Sequence, residues 1–307
     1  MKLLILAAGH GRRFGGLKQL APVGPRGESL IDYTAFDAIS SGFDSLVLIV
    51  RPEIRDELTA HIQEHWPAEI DYKLVDQIPV AGTAPAVISA AEVLDGPFGV
   101  ANADDLYGPA ALMTLRERLQ AGADSDQRDA DAPHVMVCFP LADTLLSPRP
   151  VTRGVCRVDQ SGLLVDIEEQ RVVALPDGAD GYAGRPMDDP NGIGPSSPLS
   201  GQELVSMNLW GFHPRIFEHL DKALAAFDPP LAEEGASPEE LLLPNVVREM
   251  VLAGTDRFVV HAATGRCSGI THPDDLDLVR RELAGRRPGD APPEPILESP
   301  RVTDART

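Results

Sequence analysis

Residues 2–18 read KLLILAAGHGRRFGGLK: an apolar run passes into a glycine-rich turn that carries three cations. A short, continuous apolar run of this kind is typical of a buried parallel strand. The spaced glycines let backbone N–H groups approach phosphate oxygens closely, and the cations supply positive charge. The turn therefore predicts a polyphosphate site at the end of the first strand. Its cations are Arg12, Arg13 and Lys18.

The next segments along the chain alternate between strand-like and helix-like patterns. The apolar run SLVLIV at 45–50 follows a helical pattern that ends at Gly42, and IDYKLV at 70–75 follows a second helical pattern. APAVISAAEVL predicts a third helix over 84–94, before the strand-like FGVAN at 98–102. The alternation predicts an α/β fold: a mainly parallel, Rossmann-like sheet with helices on both faces and ligands at the carboxyl ends of the strands.

The second half of the chain is less regular. HVMVCFPL and RGVCRVDQSGLLVDIEE predict strands, the latter a hairpin that turns around residues 160–162. Gly, Pro, Asp and Ser are dense between 176 and 202, which predicts an irregular loop. We therefore expect a smaller, mixed region after the parallel half, followed by a disordered tail over 285–307.

Composition excludes several classes of protein. The 307 residues carry 27 Lys and Arg against 47 Asp and Glu, a formal net charge of −20, which repels nucleic acid and anionic membrane surfaces. The three cysteines form no C-x-x-C pair, so neither a disulfide framework nor a zinc site is indicated. No apolar segment reaches the roughly eighteen residues that a membrane span requires. We expect a cytoplasmic protein with a small-molecule substrate, and a homo-oligomer stays open.

Two other phosphate-binding signatures fit the opening turn less well. A dinucleotide site favours G-x-G-x-x-G and an acid after the second strand, whereas here the third glycine is displaced and the strand ends in Arg51, a residue that an NADP site could use. A Walker A loop requires G-K-[ST], but Lys18 lies between Leu17 and Gln19. A nucleoside triphosphate held by another kind of loop is favoured.

The string L-A-A-G-x-G-x-R-F-G followed by a lysine resembles the N-terminal motif of the sugar-phosphate nucleotidyltransferases, the NTP transferases with a GT-A-like fold. The resemblance implies that Arg13 contacts the departing pyrophosphate and that Lys18 bridges toward the attacking phosphate. Arg12 stands at a variable position, so its role is open. The triphosphate would be bound along the turn by Leu6, Ala7, Ala8, Gly9 and Gly11.

Two further segments resemble motifs of the same family. DQIPVAGTAPAV resembles the segment that reads the nucleobase, which implies nucleotide contacts from Gln77, Gly82 and Thr83. VANADDLYG resembles the strand-end motif that holds catalytic magnesium, which implies Asp104 as catalytic residue and metal ligand and Asp105 as its neighbour at the nucleotide. A carboxylate beside phosphates is the environment that Mg²⁺ prefers.

The second half carries the segments that resemble an acceptor site. RGVCRVDQSGLLVDIEE resembles the sugar-facing hairpin and implies sugar-phosphate contacts from Gly154 and Glu168, with Glu169 as the rival. SMNLWGF resembles the strand from which Asn208 would contact the sugar. The closing segment CSGITHPDD lacks the aspartate that the family has before G-T, so a second metal ligand is in doubt. Its substitutes are Thr271, Asp274 and Asp275.

The resemblance spans roughly residues 1–284 and implies one nucleotidyltransferase domain, with a nucleotide-binding half over 1–120 and an acceptor-binding half over 134–284. The implied reaction joins a nucleoside monophosphate from an NTP to a sugar 1-phosphate, with Mg²⁺ as cofactor and release of pyrophosphate, as in the pathways that make nucleotide sugars. Two alternatives stay open: a cytidylyltransferase for a polyol phosphate or a molybdopterin-type cofactor, and a nucleotide-sensing module without catalysis.

Overall fold

A computed structural model describes residues 1–9, 17–123, 132–175, 180–187, 196–228, 239–270 and 273–285. Several predicted features lie outside these described residues: Gly11 and Arg13 of the opening turn, Thr271, and the predicted tail from 286 onward.

Thirteen strands are present among the described residues. They are β1 (Lys2–Leu6), β2 (Ser45–Val50), β3 (Tyr72–Asp76), β4 (Phe98–Asn102), β5 (Asp105–Leu106), β6 (His134–Pro140), β7 (Val151–Val158), β8 (Leu164–Ala174), β9 (Tyr182–Pro186), β10 (Ser197–Leu199), β11 (Leu204–Phe212), β12 (Phe258–Ala262) and β13 (Ser268–Gly269).

Seven α-helices connect or flank the strands in the same part of the chain. They are α1 (Leu30–Ser40), α2 (Pro52–His65), α3 (Thr83–Ile88), α4 (Pro109–Ala123), α5 (Ile216–Ala226), α6 (Leu243–Ala253) and α7 (Asp275–Ala284). Within the described residues, none of these helices combines the length and the apolar character that crossing a bilayer demands.

The N-terminal half forms a parallel sheet in the order β3-β2-β1-β4. β1 lies between β2 and β4, and Leu6 at its end is level with Ile49 and Asn102. The carboxyl ends of these strands therefore meet at one edge, and the amide of Ala103 after β4 donates to the carbonyl of Leu6 at the end of β1. β11 then joins β4 in the antiparallel direction and leads on to β7, β8, β9 and β10. The predicted fold class, a largely parallel α/β sheet with a mixed second half, is confirmed.

Both faces of the sheet are covered by helices. Alternate residues of β1 point to opposite faces, so Leu3 and Ile5 join a core with α1, α2 and α4, whereas Leu4 joins a core with α3, α5 and α6. All three of these residues are fully buried, as a strand inside a two-sided α/β sheet requires. The three cysteines are buried free thiols.

Two expectations about local structure are wrong in part. The helix predicted over 84–94 ends at Ile88 and is followed by a 3₁₀ turn over Ala91–Val93. The Ser89 hydroxyl donates to the Pro85 carbonyl at 2.9 Å and accepts from the Ile78 amide at 2.9 Å, a local competition that favours helix ends. The irregular loop predicted over 176–202 contains β9 and β10, because the long strand β8 offers an edge on which they pair.

Candidate active site

The two residues that follow β1 are fixed by side chains that donate to their carbonyl oxygens. Gln19 Nε2 donates to the oxygen of Ala7 at 3.0 Å, and Arg51 Nε donates to the oxygen of Ala8 at 2.8 Å. Leu6, Ala7 and Ala8 are buried and Gly9 is exposed. Arg51, the residue that an NADP site could use, is thus engaged in holding the backbone where the predicted phosphate turn begins.

Lys18 and Asp104 form an ion pair at this edge of the sheet, although they are far apart in sequence. Lys18 lies at the start of a 3₁₀ turn, and its Nζ also donates to the carbonyl of Ile270 at 3.3 Å. The two side chains are 21% and 25% exposed, so the pair is partly open to solvent and to ligand. The structure therefore joins two residues that the sequence nominates independently from the turn after β1 and from the end of β4.

Asp105 is buried behind Asp104 and has different partners. Asn102 Nδ2 donates to its Oδ2 at 2.8 Å, and the Tyr107 hydroxyl lies 3.4 Å from the same oxygen. Burial, together with the neighbouring charge of Asp104, raises the pKa of Asp105 to about 6. The two adjacent acids thus differ in environment: Asp104 is accessible and paired with a cation, whereas Asp105 is enclosed by the protein.

Gly269 permits a close approach that holds Asp105 in this position. It lies on β13, level with Asp105 on β5, and a Cβ built on it would be 2.1 Å from Asp105 Oδ1. No real Cβ contact is that short, so a side chain here displaces the carboxylate. The amide of Ile270 donates to the carbonyl of Asp104 at 3.1 Å and completes the link between the two segments.

Asp104 presents a partly exposed carboxylate, the kind of ligand that the predicted magnesium site requires. Within the described residues, no group of three or more His, Cys, Asp or Glu side chains is arranged to hold a metal ion. Mg²⁺ does not need such a cage, because it is commonly bound by one or two carboxylates with substrate phosphates and water. Asp274, one predicted substitute for a second ligand, instead forms an ion pair with Arg149.

The predicted base-reading loop is fastened to the start of α6. Gln77 Nε2 donates to the carbonyls of Val80 and Gly82 at 3.0 and 3.1 Å, which closes the loop on itself. The Thr83 hydroxyl accepts from the amide of Leu243 at 2.8 Å. Gly82 has a φ of 125°, and a Cβ on it would lie 2.3 Å from the carbonyl oxygen of Leu241. Each of the three predicted residues therefore shapes the loop, and their contact with nucleotide stays a prediction.

The hairpin of β7 and β8 separates the two candidate glutamates. Glu169 is level with Gly154 on the neighbouring strand, and burial raises its pKa. Glu168, the residue nominated from the sequence, accepts from Gln170 Nε2 at 2.6 Å and lies 3.8 Å from Arg248 of α6. Successive strand residues point to opposite faces, so Glu169 and not Glu168 shares the face of Gly154. Sugar contact by Gly154 and Glu168 stays a prediction, and the register favours the rival Glu169.

Asn208 occupies an irregular position on β11. Its φ of 57° lies in the left-handed region, and the pairing of β11 with β6 shifts register between Ser206 and Leu209. The side-chain oxygen of Asn208 accepts from Trp210 Nε1 at 3.2 Å. Non-glycine residues with positive φ are uncommon and asparagine is enriched among them, so this strand is bent at the residue nominated for sugar contact.

A pocket of about 390 Å³ opens beside Gly269, the residue that is paired with Asp105. Its lining also includes Arg153, whose positive charge acts to lower the pKa of Asp105. Burial lowers the pKa of Arg153, and the carboxylates of Asp105 and Glu169 oppose that shift. Sequence analysis missed Arg153 and Gly269: Arg153 directly precedes the nominated Gly154, but nothing in its local sequence marks it.

Comparison with solved structures shows which proteins share the fold of this chain. The structures that match over nearly the whole chain include a protein from Bacillus anthracis assigned as a glucose-1-phosphate thymidylyltransferase, in complex with sucrose; the inositol-1-phosphate CTP transferase of T. maritima; and a UDP-glucose pyrophosphorylase in complex with UDP-glucose. Their TM-scores are 0.64, 0.59 and 0.60, at 12%, 16% and 16% identity. The matches cover 94%, 93% and 93% of this chain and 96%, 97% and 99% of those chains. The chain has the fold of the nucleotidyltransferases.

A family model identifies the N-terminal part more closely. Residues 3–146 match the model of the MobA-like NTP transferase domain, so this part of the chain is similar to that family. No functionally curated protein sequence matches the chain. The predicted resemblance to the NTP transferases is confirmed, and the matched range contains both Lys18 and Asp104.

Proposed function

We propose that the chain transfers a nucleoside monophosphate from an NTP to a sugar 1-phosphate or a similar phosphorylated metabolite and releases pyrophosphate. The observation that carries the proposal is the contact of Lys18 with Asp104 inside the NTP transferase domain. One cation and one accessible carboxylate lie at the carboxyl edge of a parallel sheet, where ligands bind in folds of this kind.

The proposed reaction requires positioning and charge rather than a covalent nucleophile. An oxygen of the acceptor phosphate attacks the α-phosphorus in line, the bond from that phosphorus to the bridging oxygen breaks, and pyrophosphate leaves with the electron pair. Because a phosphate monoester is already ionised near neutral pH, no general base is needed. Lys18 would stabilise the negative charge at the attacking phosphate, and Arg13 would contact the departing pyrophosphate.

Asp104 would hold magnesium beside the phosphates. The bound ion supplies positive charge that the acidic chain otherwise lacks. Asp105 supports this arrangement as a neighbour: Asn102 donates to its carboxylate, and the amide of Ile270 donates to the carbonyl of Asp104, so hydrogen bonds hold the segment that carries Asp104. We further propose that residues 1–120 bind the nucleotide and residues 134–284 bind the acceptor.

The test is a matrix of the common NTPs against phosphorylated acceptors, with pyrophosphate release measured with and without Mg²⁺. The proposal predicts release that depends on one acceptor class and on the divalent cation. Transfer from CTP to a polyol phosphate would favour the second candidate, a cytidylyltransferase. That candidate draws on one solved structure with this fold, the inositol-1-phosphate CTP transferase. Nucleotide binding by calorimetry without turnover on any acceptor would contradict the proposal and favour a sensing module.

A further inference from the structure

The residues that line the pocket beside Gly269 differ in exposure: we call its less exposed part the inner end and its more exposed part the outer end. At the inner end lie Gly269, level with Asp105, and Thr144, which is 2% exposed. At the outer end lie Arg171 on β8 and Met187, both exposed. A volume of about 390 Å³ is within the range of small-molecule sites. One small ligand in this pocket can therefore contact Gly269, which is paired with Asp105, as well as residues of the β7–β8 hairpin.

Arg153 at the inner end is a half-buried cation that forms no ion pair with a carboxylate of the described residues. Its Nε and one terminal nitrogen donate to the hydroxyl and the carbonyl of Thr144 at 3.1 and 2.8 Å, and its other terminal nitrogen donates to the carbonyl of Thr152 at 2.9 Å. Among the described residues, no carboxylate lies within ion-pair distance of it. Its three hydrogen bonds go to neutral oxygens, and Asp105 and Glu169 act on its charge from beyond ion-pair distance, so an anion in the pocket would be its direct charge partner.

Arg171 provides a second cation at the outer end. Its side chain forms no ion pair with any of the described residues, and it is level with Thr152 on the neighbouring strand. It lies two residues beyond Glu169 on β8, so the two side chains share a face about 6.6 Å apart along the strand. Arg149, the third arginine of the pocket, is already paired with Asp274.

The pocket therefore presents two cations at separate positions, within a chain whose net charge is −20. Among the described residues of its lining, Asp275 is the one acidic side chain, and it is buried at the start of α7. Guanidinium groups bind carboxylates and phosphates in bidentate geometry, so a ligand with two anionic groups matches this arrangement.

We infer, building on the proposed function, that the acceptor carries a second anionic group, a carboxylate or a second phosphate, besides the phosphate that reacts. Arg153 lies toward the reacting phosphate, and Arg171 binds the second group. Arg171 is thus a specificity residue that distinguishes an acidic acceptor from a neutral one on the same scaffold.

Three matched acceptors test the inference with the best NTP: a hexose 1-phosphate, the corresponding hexuronic acid 1-phosphate and the corresponding hexose 1,6-bisphosphate. The readout is the ratio of kcat/KM for each acidic acceptor to kcat/KM for the hexose 1-phosphate. Loss of a charged hydrogen bond corresponds to about a 10- to 100-fold change. We expect the wild type to prefer at least one acidic acceptor by that factor, and its choice between the two identifies the second group.

Variants assign the preference to Arg171. Arg171→Gln should reduce the ratio to near one, and Arg171→Lys should keep part of it because the charge remains. Arg118→Gln is the control, since Arg118 is an exposed arginine on α4 outside the pocket lining and its loss should leave the ratio unchanged. Equal use of all three acceptors by the wild type, or a ratio that survives in Arg171→Gln, overturns the inference.

Failure of the proposed function is a separate outcome. If no acceptor supports pyrophosphate release, calorimetric binding of the same three compounds to wild type and Arg171→Gln replaces the kinetic ratio. A binding preference for an acidic compound that is lost in Arg171→Gln still supports the inference. Absence of any such preference contradicts it.

Discussion

Replacing Lys18 with methionine keeps much of the side-chain length and removes its charge. In the proposed reaction Lys18 stabilises charge that develops at the phosphates, so the loss should appear mainly in kcat. Removing one pre-organised electrostatic contact typically costs about 2.7–4 kcal/mol, which is roughly a 100- to 1000-fold decrease in kcat. We expect the acceptor KM to rise as well, because Lys18 would bridge toward the attacking phosphate.

The same change should have little effect on folding. The ion pair of Lys18 with Asp104 joins side chains that are 21% and 25% exposed, and partly exposed pairs contribute at most about 1 kcal/mol. The second contact, from Lys18 Nζ to the Ile270 carbonyl, is long at 3.3 Å. The free energy of unfolding should therefore fall by about 1 kcal/mol or less, well below the loss in activity.

Lys2→Met is the matched control. Lys2 at the start of β1 also joins one carboxylate and one carbonyl, Asp95 at 2.8 Å and Val93 at 2.8 Å, but at the opposite end of the sheet from the site. Stopped-flow pyrophosphate detection and urea unfolding of both variants separate catalysis from stability. Equal decreases in kcat for Lys18→Met and Lys2→Met, or a Lys18→Met enzyme with wild-type kcat, would refute the assignment of Lys18.

Two further predictions concern the surroundings of the site. Gly269→Ala places a Cβ 2.1 Å from Asp105 Oδ1, so we expect unfolding free energy to fall by about 1–3 kcal/mol and kcat to fall with it. The control is Gly96→Ala, where a Cβ meets nothing within 4 Å and neither quantity should change. Thermal unfolding and turnover are measured for both variants, and equal effects of the two substitutions would contradict the prediction. Burial lowers the pKa of His134 from 6.5 to about 4, and its Nδ1 accepts from the His213 amide at 3.1 Å, so its ring is neutral in the folded protein. Between pH 6.5 and pH 4 the His134 ring binds a proton in the unfolded chain but not in the folded chain. The free energy of unfolding should therefore fall as the pH falls from 6.5 to 4. Urea unfolding at several pH values in that window should give a free energy of unfolding that changes less with pH for His134→Gln than for the wild type. An equal pH dependence in the two proteins would contradict the prediction.

The parallel half of the fold could be predicted because its signals are local. The apolar runs at β1, β2 and β4 are the mark of strands buried on both faces, and glycine follows β1 where the chain must turn. The antiparallel entry of β11 beside β4 could not be predicted, since hydrophobic patterning does not encode strand direction. Likewise β9 forms because β8 offers an edge, although its own sequence is typical of a loop.

The candidate site shows the same division. The sequence nominates Lys18 and Asp104 because each lies in a motif that is contained in one short segment, and the sheet brings the two segments together. The partnership of Asp105 with Gly269 depends on two short strands that meet only after the chain has closed. Which of Glu168 and Glu169 shares the face of Gly154 depends on a one-residue register. The sequence alone leaves that register open, and the strand pairing puts Glu169 opposite Gly154, while sugar contact by either residue stays a prediction.

Transfer of label from an α-³²P nucleoside triphosphate to a phosphorylated acceptor tests the central claim most directly. The wild type and Asp104→Asn are compared with Mg²⁺ present, after unfolding measurements have shown that both are folded. The account predicts labelled nucleotidyl acceptor in equal amount to released pyrophosphate for the wild type, and at least about a 100-fold slower rate for Asp104→Asn. Label that stays in the triphosphate with every acceptor, or transfer at the same rate in both proteins, would contradict it.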